Sequence, residues 1–134
     1  ERALSRGGLM TATRYRDLTK QITSNLAPLR ASAPQVMKSF AEMGKAAIAD
    51  GALDAKTKEL IALAIGVATR CDGCIGFHAK ALARLGATKA EVHETLGVAV
   101  YMGGGPSAMY AANAVAAFDE FMAETPSNSL PVER

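Results

Sequence analysis

Both cysteines of this chain and one of its two histidines fall in a single stretch of eight residues, Cys71-Asp72-Gly73-Cys74-Ile75-Gly76-Phe77-His78. Cysteine and histidine at such spacing serve metal binding, a structural disulfide or thiol redox chemistry. A structural zinc site wants four Cys or His ligands. Cys71, Cys74 and His78 supply three, and His93 lies further on with nothing marking it as the fourth. Attachment of a c-type haem needs His directly after the second Cys, where Ile75 stands. A bond between Cys71 and Cys74 is geometrically easy, because residues three apart on a helix are neighbours. The loop it closes is tiny, however, and a tiny loop stabilises little. A redox role accounts best for the pair.

Redox chemistry needs a thiolate, and a free cysteine with a pKa near 8.5 is mostly protonated at neutral pH. Three features bear on this. The pair sits at the start of an expected helix, where unpaired N–H groups favour negative charge. His78 follows Cys74 by four residues and Cys71 by seven, so one helix face carries all three. Glu59 stands ahead of the apolar run Leu60 to Ala68, one turn into a helix expected to be buried. There it is either a buried carboxylate with a chemical task or a solvated first-turn glutamate favouring the helix dipole.

Glu59, eleven residues, then Cys71-x-x-Cys74-x-x-x-His78 resembles the active-site signature of the alkylhydroperoxidase D group within the carboxymuconolactone decarboxylase family. The apolar helix ahead of it and the turn Gly86-Ala87-Thr88-x-x-Glu91 behind it extend the resemblance over about residues 50–120. The resemblance implies an all-α fold and trimers or hexamers. It also implies Cys74 as the cysteine that attacks a peroxide, Cys71 as the one that resolves it, and Glu59 with His78 as a proton relay. It implies no bound cofactor and no metal. The partners it implies are a hydroperoxide substrate and a dithiol reductant, whether a lipoyl or thioredoxin-type protein or a small thiol. One position departs from the best-known members, which carry a further His immediately before the second Cys; here Gly73 occupies that place. A decarboxylase or lactone-processing enzyme of the same broad family would work without a redox pair, against which the intact CxxC counts. A non-enzymatic helical scaffold would leave the four residues at family spacing unexplained.

These residues need helices to position them. Tyr15, Leu18, Ile22, Leu26 and Leu29 recur at three- and four-residue spacing, one apolar stripe of a first helix that Pro28 is expected to kink or end. Ser32-Ala33-Pro34-Gln35 has the shape of a capping box opening a second helix to about Ala49, with Gly51 as its stop. Asp54 can cap a third, over 55–70. A fourth is expected from Cys71 to Leu85, closed by Gly86, and a fifth from the capping box at Thr88 to about Met102. Gly103 to Gly105 break the pattern, and Pro106 suits the first residue of a sixth, ending near Met122. The expected fold is a compact all-α bundle of about six helices.

At 134 residues the chain is one domain's worth, with about 1–12 and 125–134 expected as loose termini. It starts at Glu1, and Met10 reads as a native start, leaving 1–9 as a remnant of processing or cloning. Fifteen Lys plus Arg against thirteen Asp plus Glu leave a formal +2, too even for a nucleic-acid footprint. Two cysteines cannot form the framework of a small secreted domain, and no signal peptide is evident, so a cytoplasmic protein is expected. The uncharged stretch Thr95 to Phe118 is broken by Gly103 to Pro106 and rich in alanine. It reads as two helices buried on most sides rather than a membrane span. It and Leu60 to Ala68 carry more uncharged helix surface than a monomer easily buries, and a homo-oligomer is expected.

Overall fold

The computed structural model describes residues 12–124. It holds six helices, α1 (Arg14–Ser32), α2 (Pro34–Ile48), α3 (Ala55–Ala68), α4 (Asp72–Arg84), α5 (Lys89–Gly103) and α6 (Gly105–Glu124), and no strand among the described residues. The termini expected to be loose lie almost wholly outside that range. The all-α bundle is the observed fold.

Helices α3 to α6 form the body, with α4 packed most extensively on α6 and α3. Leu63 and Val67 of α3, Ile75 and Leu82 of α4, Val92 of α5 and Phe118 of α6 are completely buried there. Burial of each such side chain is worth about 1.5–3 kcal/mol relative to exposure. α1 lies across α4 and α6 and contributes Tyr15 to the same core, whereas α2 touches only α1 and α3.

Local signals set most of the helix ends. Asp54 Oδ1 accepts the Thr57 N–H at 2.8 Å and caps α3. Thr88 and Glu91 form both bonds of a capping box on α5. Lys56 then reaches Glu91 at 2.9 Å and joins the start of α3 to the start of α5. This hydrogen bond holds the Glu91 carboxyl below the usual carboxylate range. Gly104, at φ 75°, divides α5 from α6.

Four expectations are corrected. Pro28 does not end α1, which continues to Ser32; the turn is exposed, so solvent can satisfy the carbonyl left without its partner N–H. The box at Ser32 does not form: its hydroxyl turns back to the Leu29 carbonyl at 3.4 Å, and Ala33 takes the cap position without a side-chain bond. Pro106 is the second residue of α6, since Gly105 already begins it. The fourth concerns burial within the single chain, where less of these helices is covered than two helices buried on most sides would show. Ile61 and Ile65 of α3 and Val98, Tyr101, Met102 and Met109 of α5 and α6 are exposed, Tyr101 by 84%. Only one stripe of each of α3, α5 and α6 faces the core. None of the described helices is long and apolar enough to cross a membrane.

Glu120 had no sequence signal. This carboxylate near the end of α6 is 4% exposed, and it accepts the N–H groups of Tyr15 at 2.8 Å and Arg16 at 3.1 Å. Thr13 makes no side-chain cap there. A residue more than a hundred positions away thus satisfies the free donors of the first turn of α1.

Candidate active site

The site is built on the connection from α3 to α4. After Ala68 the Arg70 N–H donates to the Val67 carbonyl at 3.1 Å, and the Cys71 N–H donates to the Gly66 carbonyl at 2.9 Å. This is a Schellman ending with a non-glycine residue, Arg70, at φ 57°. It delivers Cys71 to the N-cap of α4, where its sulfur accepts the Cys74 N–H at 3.1 Å. The fourth helix therefore starts at Asp72, one residue after the expected start.

Cys71 and Cys74 are joined as a disulfide, with Cα atoms 5.2 Å apart. Cys74 also lies close against α3: a Cβ placed on Gly66 would come within 3.2 Å of the Cys74 Cβ. Two turns earlier on α3, Glu59 Oε1 meets His78 Nδ1 at 2.5 Å. As α3 advances from 59 to 66, its partners on α4 recede from 78 to 74, so the two helices run antiparallel along the site. Glu59 is 8% exposed, which excludes the solvated first-turn reading. Its carboxylate holds the Nδ1 side of His78, and an Nδ1–H bonded there leaves Nε2 as the proton acceptor of the neutral ring. All four residues singled out from the sequence thus come together in two bonded pairs on two adjoining helices. His93 is exposed on α5 and belongs to neither pair. Among the described residues, no group of three or more His, Cys, Asp and Glu is placed to hold a metal ion.

The side of α4 facing α1 brings in residues that sequence reasoning missed. The Tyr15 hydroxyl donates to Asp72 Oδ1 at 2.7 Å, and Arg14 Nη2 lies 3.7 Å from Oδ2. Burial, reinforced by that hydrogen bond, pushes the Tyr15 pKa up, so the hydroxyl stays protonated and donating. Ile22 closes over Gly73: a Cβ there would stand 2.9 Å from Ile22 Cδ1. A side chain before Cys74 would therefore have to displace Ile22. Gly66 carried one legible signal, an isolated glycine inside an apolar helix, which points to close helix packing. Tyr15 and Ile22 carried none beyond membership of an apolar stripe.

Residues 34–117 match the model of the carboxymuconolactone decarboxylase family. The chain belongs to that family. A crystal structure of a carboxymuconolactone decarboxylase family protein from Legionella pneumophila is 55% identical, covers 83% of this chain and 99% of its own, and superposes with a TM-score of 0.81. A second family member, from Thermotoga maritima and described with a suggested part in an antioxidative response, is 26% identical. That match covers 90% of this chain and 99% of the other, with a TM-score of 0.68. An uncharacterised protein of Cupriavidus necator is 42% identical over 99 residues, 74% of this chain and 88% of its own length. The family match contains all four residues of the two bonded pairs.

Proposed function

We propose that the chain is a cysteine-based peroxidase, or a closely related thiol–disulfide oxidoreductase, that works through the Cys71–Cys74 pair. The observation that carries this reading is the disulfide at the start of α4 with a Glu59-held histidine one turn further along. The description of the Thermotoga relative adds support. In the forward step the Cys74 thiolate attacks one oxygen of a hydroperoxide. The O–O bond breaks, Cys74 becomes a sulfenic acid, and the other oxygen leaves as an alcohol with a proton supplied through His78 and Glu59. The Cys71 thiol then condenses with the sulfenic acid, releasing water and forming the disulfide. An outside dithiol delivers two electrons and two protons to restore the pair and is itself oxidised. Such a cycle suits a reducing compartment, and we place it in the cytoplasm.

The test is turnover of an organic hydroperoxide with a dithiol as reductant, beside a Cys74→Ser control. Mild peroxide should remove two hydrogens from the reduced protein and protect both sulfurs from alkylation. Full alkylation of both after peroxide overturns the reading.

The active form is a homo-oligomer, a trimer or a hexamer built from trimers or dimers. Support comes from α2, which buries no residue and exposes Val36, Phe40 and Met43, Phe40 by 64%. Apolar faces of that kind mark partner contacts. Light scattering at the monomer mass of 13.9 kDa at micromolar concentration would contradict it.

A further inference from the structure

Between the two cysteines stands a carboxylate that the proposed cycle does not use. Asp72 opens α4 and, with Gly73, forms the interior of the loop that the disulfide closes. α1 holds it at both oxygens, through the Tyr15 hydroxyl on Oδ1 and Arg14 beside Oδ2. The Tyr15 side chain is fully buried, and the Arg14 guanidinium sits over its ring, 4.8 Å from the centroid. The Asp72 side chain is 34% exposed, and these contacts tie its charge to the buried ring of Tyr15.

A neighbouring anion disfavours a thiolate. The cysteine Cα atoms are 5.2 Å apart, and Asp72 adjoins Cys71 in the chain, so its charge belongs to the same first turn of α4 as both cysteines. The N-terminus of α4 acts in the opposite sense, favouring negative charge. Arg70, exposed and adjoining Cys71 in the chain, is a cation that acts in the same sense as the helix terminus. Arg14 and Asp17 line a cleft of about 610 Å³ together with Leu18, Gln21 and Asp72. The Glu120 carboxylate is occupied by the N–H groups of Tyr15 and Arg16. Glu59 and His78 pair with each other at the α3 contact.

We propose that Asp72, held by Tyr15 and Arg14, sets the redox poise of the Cys71–Cys74 pair, making the disulfide harder to reduce than the helix terminus alone would leave it. The inference rests on the thiol–disulfide reading above. Reduction breaks the S–S bond with two electrons from an outside dithiol. The products are two sulfurs, each either protonated or left as thiolate. The carboxylate penalises the thiolate share of the reduced form and leaves the uncharged disulfide untouched, so equilibrium moves toward the disulfide. Arg14 offsets part of this effect, and less than its distance suggests, because its side chain is 60% exposed and screened.

The experiment equilibrates the full chain with glutathione buffers of graded ratio and reads the reduced fraction by alkylation and mass. Asp72→Asn keeps an acceptor for Tyr15 and removes the charge. Its equilibrium constant for reduction should rise about three- to tenfold at neutral to alkaline pH, which is about 14–30 mV at 29.6 mV per tenfold. The rise should fade as the pH is lowered and the thiolate share of the reduced form disappears. Arg14→Gln should shift the constant the other way, and by less. An unchanged constant in Asp72→Asn overturns the proposal. So does a shift that ignores pH, or one of the same sign in both variants, because altered packing would do either. A wild-type pair that does not exchange with glutathione overturns the redox reading along with this inference. A wild type that exchanges beside an unmoved Asp72→Asn overturns only the inference.

Discussion

Helices α3 and α4 end in the same hydrogen-bond pattern with different residues at the turning point. After α4, Gly86 at φ 81° lets its own N–H reach the Ala83 carbonyl and the Ala87 N–H reach that of Leu82. After α3, Arg70 at φ 57° does the same for Val67 and Gly66. Glycine takes that backbone conformation freely, whereas a side chain there costs about 1–2 kcal/mol. The cost falls at the turn that hands the chain to Cys71, and the strain-free version lies at the far end of the same helix. Backbone strain held in place by surrounding bonds is a recurrent feature of reactive sites. Here the Cys71 N–H on Gly66, the close approach of Cys74 to Gly66 and the Glu59–His78 pair hold the first turn down. The second turn only has to stop a helix.

That difference predicts a rate effect at the bonded Glu59–His78 pair and stability effects of opposite sign at the two turns themselves. The largest effect is expected at the Glu59–His78 pair, the proton relay proposed above. Glu59→Gln or His78→Gln should slow hydroperoxide turnover about 10²–10⁴-fold, the usual worth of a positioned acid or base. Wild-type rates in both would remove the chemical half of the contrast.

A smaller effect, on stability, is expected midway along α4. A Cβ on Gly76 would stand 2.8 Å from Thr19 Cγ2 and 3.4 Å from Tyr15 Cδ1, so Gly76→Ala drives a wedge between α1 and α4. Overpacking of this kind costs about 1–3 kcal/mol. Urea unfolding should show that loss, and an unshifted midpoint would mean α1 yields easily.

The two turns themselves should give the smallest and most direct comparison. Gly86→Ala should destabilise by about 1 kcal/mol or somewhat more. Arg70→Gly should be neutral or stabilising by up to about 1 kcal/mol, since relief of the side-chain cost is partly offset by a more flexible unfolded chain. Equal losses in both variants would show that Arg70 is unstrained where it stands.

Much of this was legible because it is local. The caps at Asp54 and Thr88 and the stop at Gly86 depend on bonds between residues at most five apart, and they formed as the sequence predicts. The spacing of Glu59, Cys71, Cys74 and His78 is likewise a property of the chain alone, as was the all-α class. Where local signals failed, at Pro28 and Ser32, the segments lie exposed and solvent serves as well as a cap.

Packing decided the rest. Whether Glu59 was solvated or paired could not be read from its position, because first-turn glutamates do both; α4 resolved it by bringing His78 against it. The same holds for Glu120 capping α1 across more than a hundred residues and for Tyr15 gripping Asp72 between the cysteines. These bonds join residues with no periodic or spacing relation. They exist because α1 has one apolar stripe to bury and α4 and α6 offer the surface that receives it. Residue types and spacing determined which groups could do chemistry in this protein, and the docking of α1 and α3 on α4 determined which of them meet.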